Sequence, residues 1–186
     1  MCGIFGIILG NSFAGNTSDL KKGMDYLFKL SESRGKEASG IAIKYDKKIL
    51  VYKDSIPATK LIKTKQYKKI FDPVNSITLA IIGHSRLVTN GQSELNLNNQ
   101  PVIKNGAVGV HNGIIVNDSE IWKEFPALSR SYKVDTEIFF ALIQYWRNAG
   151  FSLKTAISKA FEKIQGSVTS AIFFDDTEKV VLTSNT

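Results

Sequence analysis

Two helical signatures stand back to back near the end of the chain, and strand pairs joined by very short turns flank them. Asp135 opens a helix reaching to about Asn148 and closed by Gly150. Ser152 caps the next, with Leu153, Ala156, Ile157, Ala160, Phe161 and Ile164 on one face and Gly166 at its end. Residues 40–45 and 48–53 read as a hairpin turning at Asp46-Lys47, and Ser167–Phe174 and Lys179–Ser184 make a second around Asp175-Asp176. Turns this short can join only antiparallel neighbours. Helices that come in a pair, rather than after every strand, argue against a doubly wound parallel sheet. They favour an α+β sandwich with antiparallel sheets.

The remaining pattern fits that frame. Residues 3–9 read as a buried strand. Thr17 or Ser18 caps a helix with Leu20, Met24, Leu27 and Phe28 at helical spacing. It is predicted to stop near Arg34-Gly35, with Gly35 left-handed. Residues 60–71 suggest a short basic helix. Ile77–Ile82 is an apolar strand running into Gly83-His84-Ser85-Arg86. A polar, Asn-rich loop over Thr89–Asn105 is broken by Pro101. Ala107–His111 is a short strand, and Asn112-Gly113 after it is a turn signal. A length of 186 residues suits one domain spanning 1–186. The chain stops at Thr186, directly after a strand and with no polar tail, which reads as a fragment of something longer.

Charge is unevenly placed. Residues 44–69 hold nine lysines against Asp46 and Asp54, whereas the other 160 residues balance 15 basic with 15 acidic groups. This lysine-rich excursion is either a solvated surface or a docking patch for an acidic partner or phosphate-bearing ligand. Only four of the 24 cations are arginine and no RNA or DNA motif accompanies them, so nucleic acid is not expected as a partner. No apolar run approaches the roughly 20 residues of a membrane span. The first residues carry no basic leader, and the one cysteine, Cys2, precludes an internal disulfide. Both fit a cytoplasmic protein.

Cys2 is also the first candidate for chemistry. A small second residue favours removal of Met1, leaving an N-terminal cysteine; the reference pKa is about 8.5 for a thiol and about 7.7–8.0 for an α-amine. One residue then supplies nucleophile and base; the alternative is a small thiol at a strand start. Asn112 and Gly113 offer a side-chain amide and a backbone N–H for an oxyanion, or form only a hairpin turn. Arg86, at the end of an apolar strand, presents a fork for a carboxylate, or makes a surface ion pair. Asp135 caps a helix or holds an ammonium. His84 and His111 read as satisfied core histidines, and two histidines without a cysteine or carboxylate cluster make no metal site.

Seven segments in order resemble the glutaminase domain of the class II glutamine amidotransferases, which are N-terminal-nucleophile hydrolases. They are Met1-Cys2-Gly3-Ile4-Phe5-Gly6, Arg34-Gly35 with Ser39-Gly40, Gly83-His84-Ser85-Arg86, Pro101, His111-Asn112-Gly113-Ile114-Ile115, Asp135-Thr136-Glu137 and Gly166-Ser167. The resemblance implies a four-layer αββα sandwich, here without its final strands. It implies that Cys2 attacks the side-chain amide of L-glutamine and that Asn112 and Gly113 form the oxyanion hole. Arg86, with the backbone near Thr89 and Asn90, would hold the α-carboxylate. Asp135 would hold the α-ammonium, and Arg34 would order the N-terminus. Ammonia would pass to a synthase domain or a separate synthase subunit, without cofactor or metal. The His-Asn-Gly-Ile-Ile run leans toward a sugar acceptor. Leu87, Asn90 and Lys36-Glu37-Ala38-Ser39 depart from the sugar-synthase pattern. Hydrolysis of another amide and a catalytically silent docking domain are the competing readings.

Overall fold

The computed structural model describes residues 2–9, 16–75, 78–87 and 96–185. Among them, two antiparallel four-stranded sheets form. The first combines β1 (Gly3–Ile8), β2 (Ala38–Tyr45), β3 (Lys48–Asp54) and β4 (Thr78–Arg86) in the order β1-β4-β2-β3. The second runs β5 (Val102–Lys104), β6 (Ala107–Ile115), β7 (Gly166–Phe174) and β8 (Val180–Ser184), in sequence order.

Neighbouring residues within a strand answer to different cores, because side chains alternate across a sheet. In β2, Ile41 and Ile43 face helices while Ala42 faces the other sheet; in β4, Ile81 and its neighbours Ala80 and Ile82 divide the same way. Three cores therefore separate four layers. The outer core of the first sheet lies beneath α1 (Thr17–Ser31), α2 (Ala58–Leu61) and α3 (Lys65–Lys69). That of the second sheet lies beneath α5 (Thr136–Asn148) and α6 (Leu153–Lys163), with α4 (Asp118–Glu124) at its margin. The central core is small: Ala42, Ala80, Ile82, Val108, Val110, Ala171 and Phe173. Burial on both faces explains why β4 reads as an apolar run, whereas β1, at the sheet edge, leaves Ile8 58% exposed and is not the buried strand its sequence suggests. None of the described helices is long and apolar enough to cross a membrane.

Local chemistry sets the helix ends. Asn16, rather than Thr17 or Ser18, caps α1 by accepting from the Ser18 N–H, and Ser152 caps α6 by accepting from the Thr155 N–H. The basic stretch forms two short helices instead of one. Tyr67 of α3 stacks edge-on against Phe28 of α1 and donates to Asp25 Oδ1 at 2.8 Å. Ile164, not Gly166, ends α6; Gly166 opens β7 with φ +117°.

Two further sequence expectations need correction. Gly35 is not left-handed: α1 passes into a 3₁₀ turn over Glu32–Arg34, and Gly35 is extended at φ −179°. Glycine is needed there for closeness, since a Cβ would stand 2.2 Å from the carbonyl carbon of Arg86. Asn112-Gly113 is not a turn; β6 runs through both to Ile115, with Asn112 opposite Thr169 and Gly113 opposite Val168. The lysine-rich stretch contains β3, α2 and α3, and its Lys44 and Lys53 turn inward. Lys44 is buried and donates to the carbonyls of Phe174 and Asp175, tying the two sheets together.

His84 departs from the satisfied state expected of it. It is fully buried, and neither ring nitrogen makes a well-formed hydrogen bond. Burial, followed by the nearby Arg86 and His111 side chains, pushes its pKa down to about 3, against a lesser pull from the His111 backbone. The unfolded chain takes up this proton near pH 6.5 and the folded chain only near 3, so stability falls on acidification between those values. The expected contribution is about 1.4 kcal/mol per pH unit. Urea titrations between pH 7 and pH 4 should show His84→Leu with a slope shallower by about that amount; parallel slopes would refute it.

Candidate active site

The N-terminal strand and the end of β4 bring the first two candidates together. Gly3 pairs with Ser85, which sets Cys2 beside Arg86 and Leu87. The Cys2 thiol lies 3.4 Å from the Leu87 carbonyl, and Cys2 is partly exposed. Arg34, delivered by the 3₁₀ turn after α1, donates from Nε to the Cys2 carbonyl at 3.1 Å. Ser33, Arg34, Gly35, Lys36, Glu37 and Leu87 line an open groove of about 460 Å³, and two of them, Arg34 and Leu87, contact Cys2.

Arg86 is buried, with only 4% of its surface exposed. Its Nη1 donates to the Asn98 carbonyl at 2.8 Å and to Asn99 Oδ1 at 2.6 Å, which fixes the plane of the guanidinium. Burial lowers its pKa, and Cys2, Asp135 and Glu37 oppose that shift. The thiol and the Asp135 carboxylate therefore both lie within electrostatic reach of one arginine.

Asp135 caps α5 and also ties it to β6. Oδ1 accepts from the Thr136 N–H at 2.9 Å and Oδ2 from the Ile115 N–H at 2.8 Å. The carboxylate opens into a groove of about 440 Å³ that also borders Arg130 and Lys133. Two residues before Ile115, Gly113 has φ +144°, and a Cβ there would meet the Ser167 carbonyl oxygen at 1.9 Å, so no side chain fits. The Asn112 amide is partly exposed and has no hydrogen-bond partner among the described residues. His111 is held by Thr136 Oγ1 at 3.0 Å and the Ser167 carbonyl at 3.2 Å; burial lowers its pKa, against the pull of Asp135. It is a satisfied core histidine.

Thr89 and Asn90 lie outside the described residues, as does Met1. Sequence reasoning missed the Asn98–Gln100 segment. The Gln100 side chain bonds the His111 backbone, accepting from its N–H and donating to its carbonyl, and Asn98 Oδ1 accepts from the Lys133 N–H. The concentration of Asn and Gln just before Pro101 was the available signal. Among the described residues, no group of His, Cys, Asp and Glu could hold a metal ion.

A family model described as "Glutamine amidotransferase domain" matches residues 84–186. The chain belongs to the glutamine amidotransferase domain family. The glutamine–fructose-6-phosphate aminotransferase (isomerizing) of Staphylococcus aureus is 31% identical over 169 residues, covering 90% of this chain and 26% of that protein. The Chlamydia pneumoniae enzyme of the same name is 27% identical, covering 98% of this chain and 28% of its own length. This amidotransferase domain thus spans about a quarter of the curated relatives it matches. Among solved structures, a glutamine phosphoribosylpyrophosphate amidotransferase from B. subtilis superposes with a TM-score of 0.67 at 24% identity. That match covers 97% of this chain and 36% of the other, and it shows the fold. The four layers are those of the N-terminal-nucleophile sandwich.

Proposed function

We propose that this amidotransferase domain hydrolyses the side-chain amide of L-glutamine to glutamate and ammonia. The observation that carries the proposal is the buried Arg86, with Cys2 opposite it in the β1–β4 register and the Asp135 carboxylate within electrostatic reach. Glutamine is a zwitterion whose side-chain amide stands a short methylene stem away from its charged centre. One arginine and one aspartate suit its two charges, and a thiol beside them suits its amide.

In this reading the Cys2 sulfur attacks the amide carbon while the α-amine of Cys2 takes the thiol proton. The Asn112 amide and the Gly113 N–H receive the oxyanion. Collapse breaks the C–N bond, and the proton leaves with ammonia. Water then adds to the γ-glutamyl thioester, and glutamate departs as the thiol is restored. With Met1 attached, the Cys2 nitrogen is an amide and cannot act as base, so removal of Met1 is a precondition. Thr89 and Asn90 remain our assignment for the backbone near the α-carboxylate, and Arg34 for ordering the N-terminus.

The ammonia would feed a synthase domain or a separate synthase subunit within an assembly built around residues 1–186 as a single domain. A sugar acceptor is favoured by the curated relatives, whose names specify fructose-6-phosphate. An acidic partner surface would meet Lys60, Lys63, Lys65, Lys68 and Lys69, all exposed.

The test is glutamate release by protein freed of Met1. Arg86→Ala is expected to raise KM for glutamine by about 10–100-fold with a smaller effect on kcat, the loss of one charge-assisted pair. An unchanged KM removes Arg86 from the site. Faster turnover of another amide would move the domain to a different N-terminal-nucleophile hydrolase, and no turnover at all would leave a silent docking domain.

A further inference from the structure

Lys53 stands outside every role assigned so far. It lies in β3 opposite Gly40, and its ammonium reaches across the sheet to a single loop. Nζ donates to the carbonyls of Leu97 at 3.2 Å, Asn99 at 2.5 Å and Pro101 at 3.0 Å. An ammonium has three hydrogens, and three loop carbonyls take them. The Asn98 carbonyl, between them, is taken by Arg86. Two cations from the strands on either side of β2 therefore interleave along the same stretch of backbone.

Asn99 joins them: its carbonyl goes to Lys53 and its side-chain oxygen to Arg86. Gly40 lets the loop lie this close, because a Cβ there would stand 2.2 Å from the Gln100 carbonyl oxygen and 2.8 Å from Lys53 Cβ. We propose that Lys53 is a positioning residue for the glutamine carboxylate site, clamping Leu97–Pro101 so that Asn99 presents the Arg86 guanidinium in one orientation. This rests on the glutaminase reading above.

The electrostatics of the clamp make it sensitive to alkali. Burial and then Arg86 bring the Lys53 pKa down to about 8. Among the described residues, the groups facing its ammonium are Arg86 from β4 and the Tyr132 ring, 5.8 Å away, from the segment before α5. Asp54, next in β3, instead bonds Tyr52 and the Ser55 N–H. The loop residues 97–101 carry no titratable side chain. A neutral amine has one hydrogen fewer to donate, so deprotonation releases one carbonyl.

The experiment compares wild type, Lys53→Met and Lys53→Arg by two readouts: glutamine kinetics, and labelling of Arg86 by phenylglyoxal followed by peptide mass spectrometry. At pH 7, Lys53→Met is expected to raise KM about tenfold with kcat nearly unchanged, and Lys53→Arg to recover part of it. The KM ratio of variant to wild type should shrink toward 1 about one pH unit above the Lys53 pKa, where the wild-type amine is itself neutral. Arg86, protected in wild type, should label faster in Lys53→Met. Labelling does not depend on turnover. If wild type hydrolyses no glutamine yet Arg86 is unmasked in Lys53→Met and remasked in Lys53→Arg, the clamp stands and the glutaminase reading falls. If glutamine is hydrolysed but KM and labelling are unchanged in Lys53→Met, the clamp is overturned. Should Lys53→Met fail to fold, Asn99→Ala carries the test, because it cuts the link to Arg86 while leaving the carbonyl that Lys53 grips. An unchanged KM in that variant also overturns the proposal.

Discussion

Cys2→Ala is expected to abolish glutamate release, with a fall in kcat on the order of 10⁴–10⁶. The proposed oxyanion donors and zwitterion site survive in this variant, but no atom remains to carry the acyl group. Water held near Asn112 and Gly113 is left as the only nucleophile, and the free α-amine of the substituted residue has no thiol to activate. Intact mass gives a second view. A glutamine-mimicking diazo-ketone should add once to wild type lacking Met1 and not at all to the variant. Turnover that survives Cys2→Ala, or an adduct on another residue, would take the nucleophile away from Cys2.

The largest effect on stability is expected from Glu137→Ala. Glu137 is fully buried and 2.6 Å from Lys104, which is 5% exposed. Its Oε1 also accepts from the Ser131 N–H and its Oε2 from the Tyr132 N–H. Truncation leaves a buried ammonium without its counter-charge and two backbone donors without acceptors. Such a break costs about 3–5 kcal/mol, a large share of the roughly 5–15 kcal/mol of a typical domain. Chemical denaturation should register it directly, and a loss under about 1 kcal/mol would contradict the reading. Replacing both partners with apolar residues, Lys104→Met with Glu137→Leu, should recover much of the loss, because no charge is then stranded. The single variant should also raise KM, since Ser131 and Tyr132 lead the chain into Asp135.

The layer order was legible in the sequence because it rests on short-range signals. Turn lengths at Asp46-Lys47 and Asp175-Asp176, and the paired helices ended by Gly150 and begun at Ser152, require only local chemistry. Other features depend on residues distant in sequence. Asn112-Gly113 has the composition of a hairpin turn, yet pairing with β7 carries the strand through it. Gly35 reads as a helix stop, but the approach of the Arg86 backbone decides its role. Cys2, Arg86 and Asp135 could be singled out because nucleophile and charge stand out at element ends. Lys53 could not. A lysine in so lysine-rich a stretch reads as solvent-facing until the loop over Gly40 is seen to cover it.

The central core has a consequence for how the molecule can fail. Cys2 and Arg86 belong to one sheet, and Asn112, Gly113 and Asp135 to the other sheet and its helix. The gap between the proposed nucleophile and the proposed oxyanion donors is therefore the spacing between two slabs, each with a larger core of its own. That spacing is set by Ala42, Ala80, Val108, Val110 and a few neighbours, several of them among the smallest apolar side chains. In the proposed reaction, the smallest of the three cores gauges the distance between thiol and oxyanion donors. A single added methylene at Ala80 would act as a shim, leaving each slab folded around its own core while shifting Cys2 relative to Asn112 and Gly113.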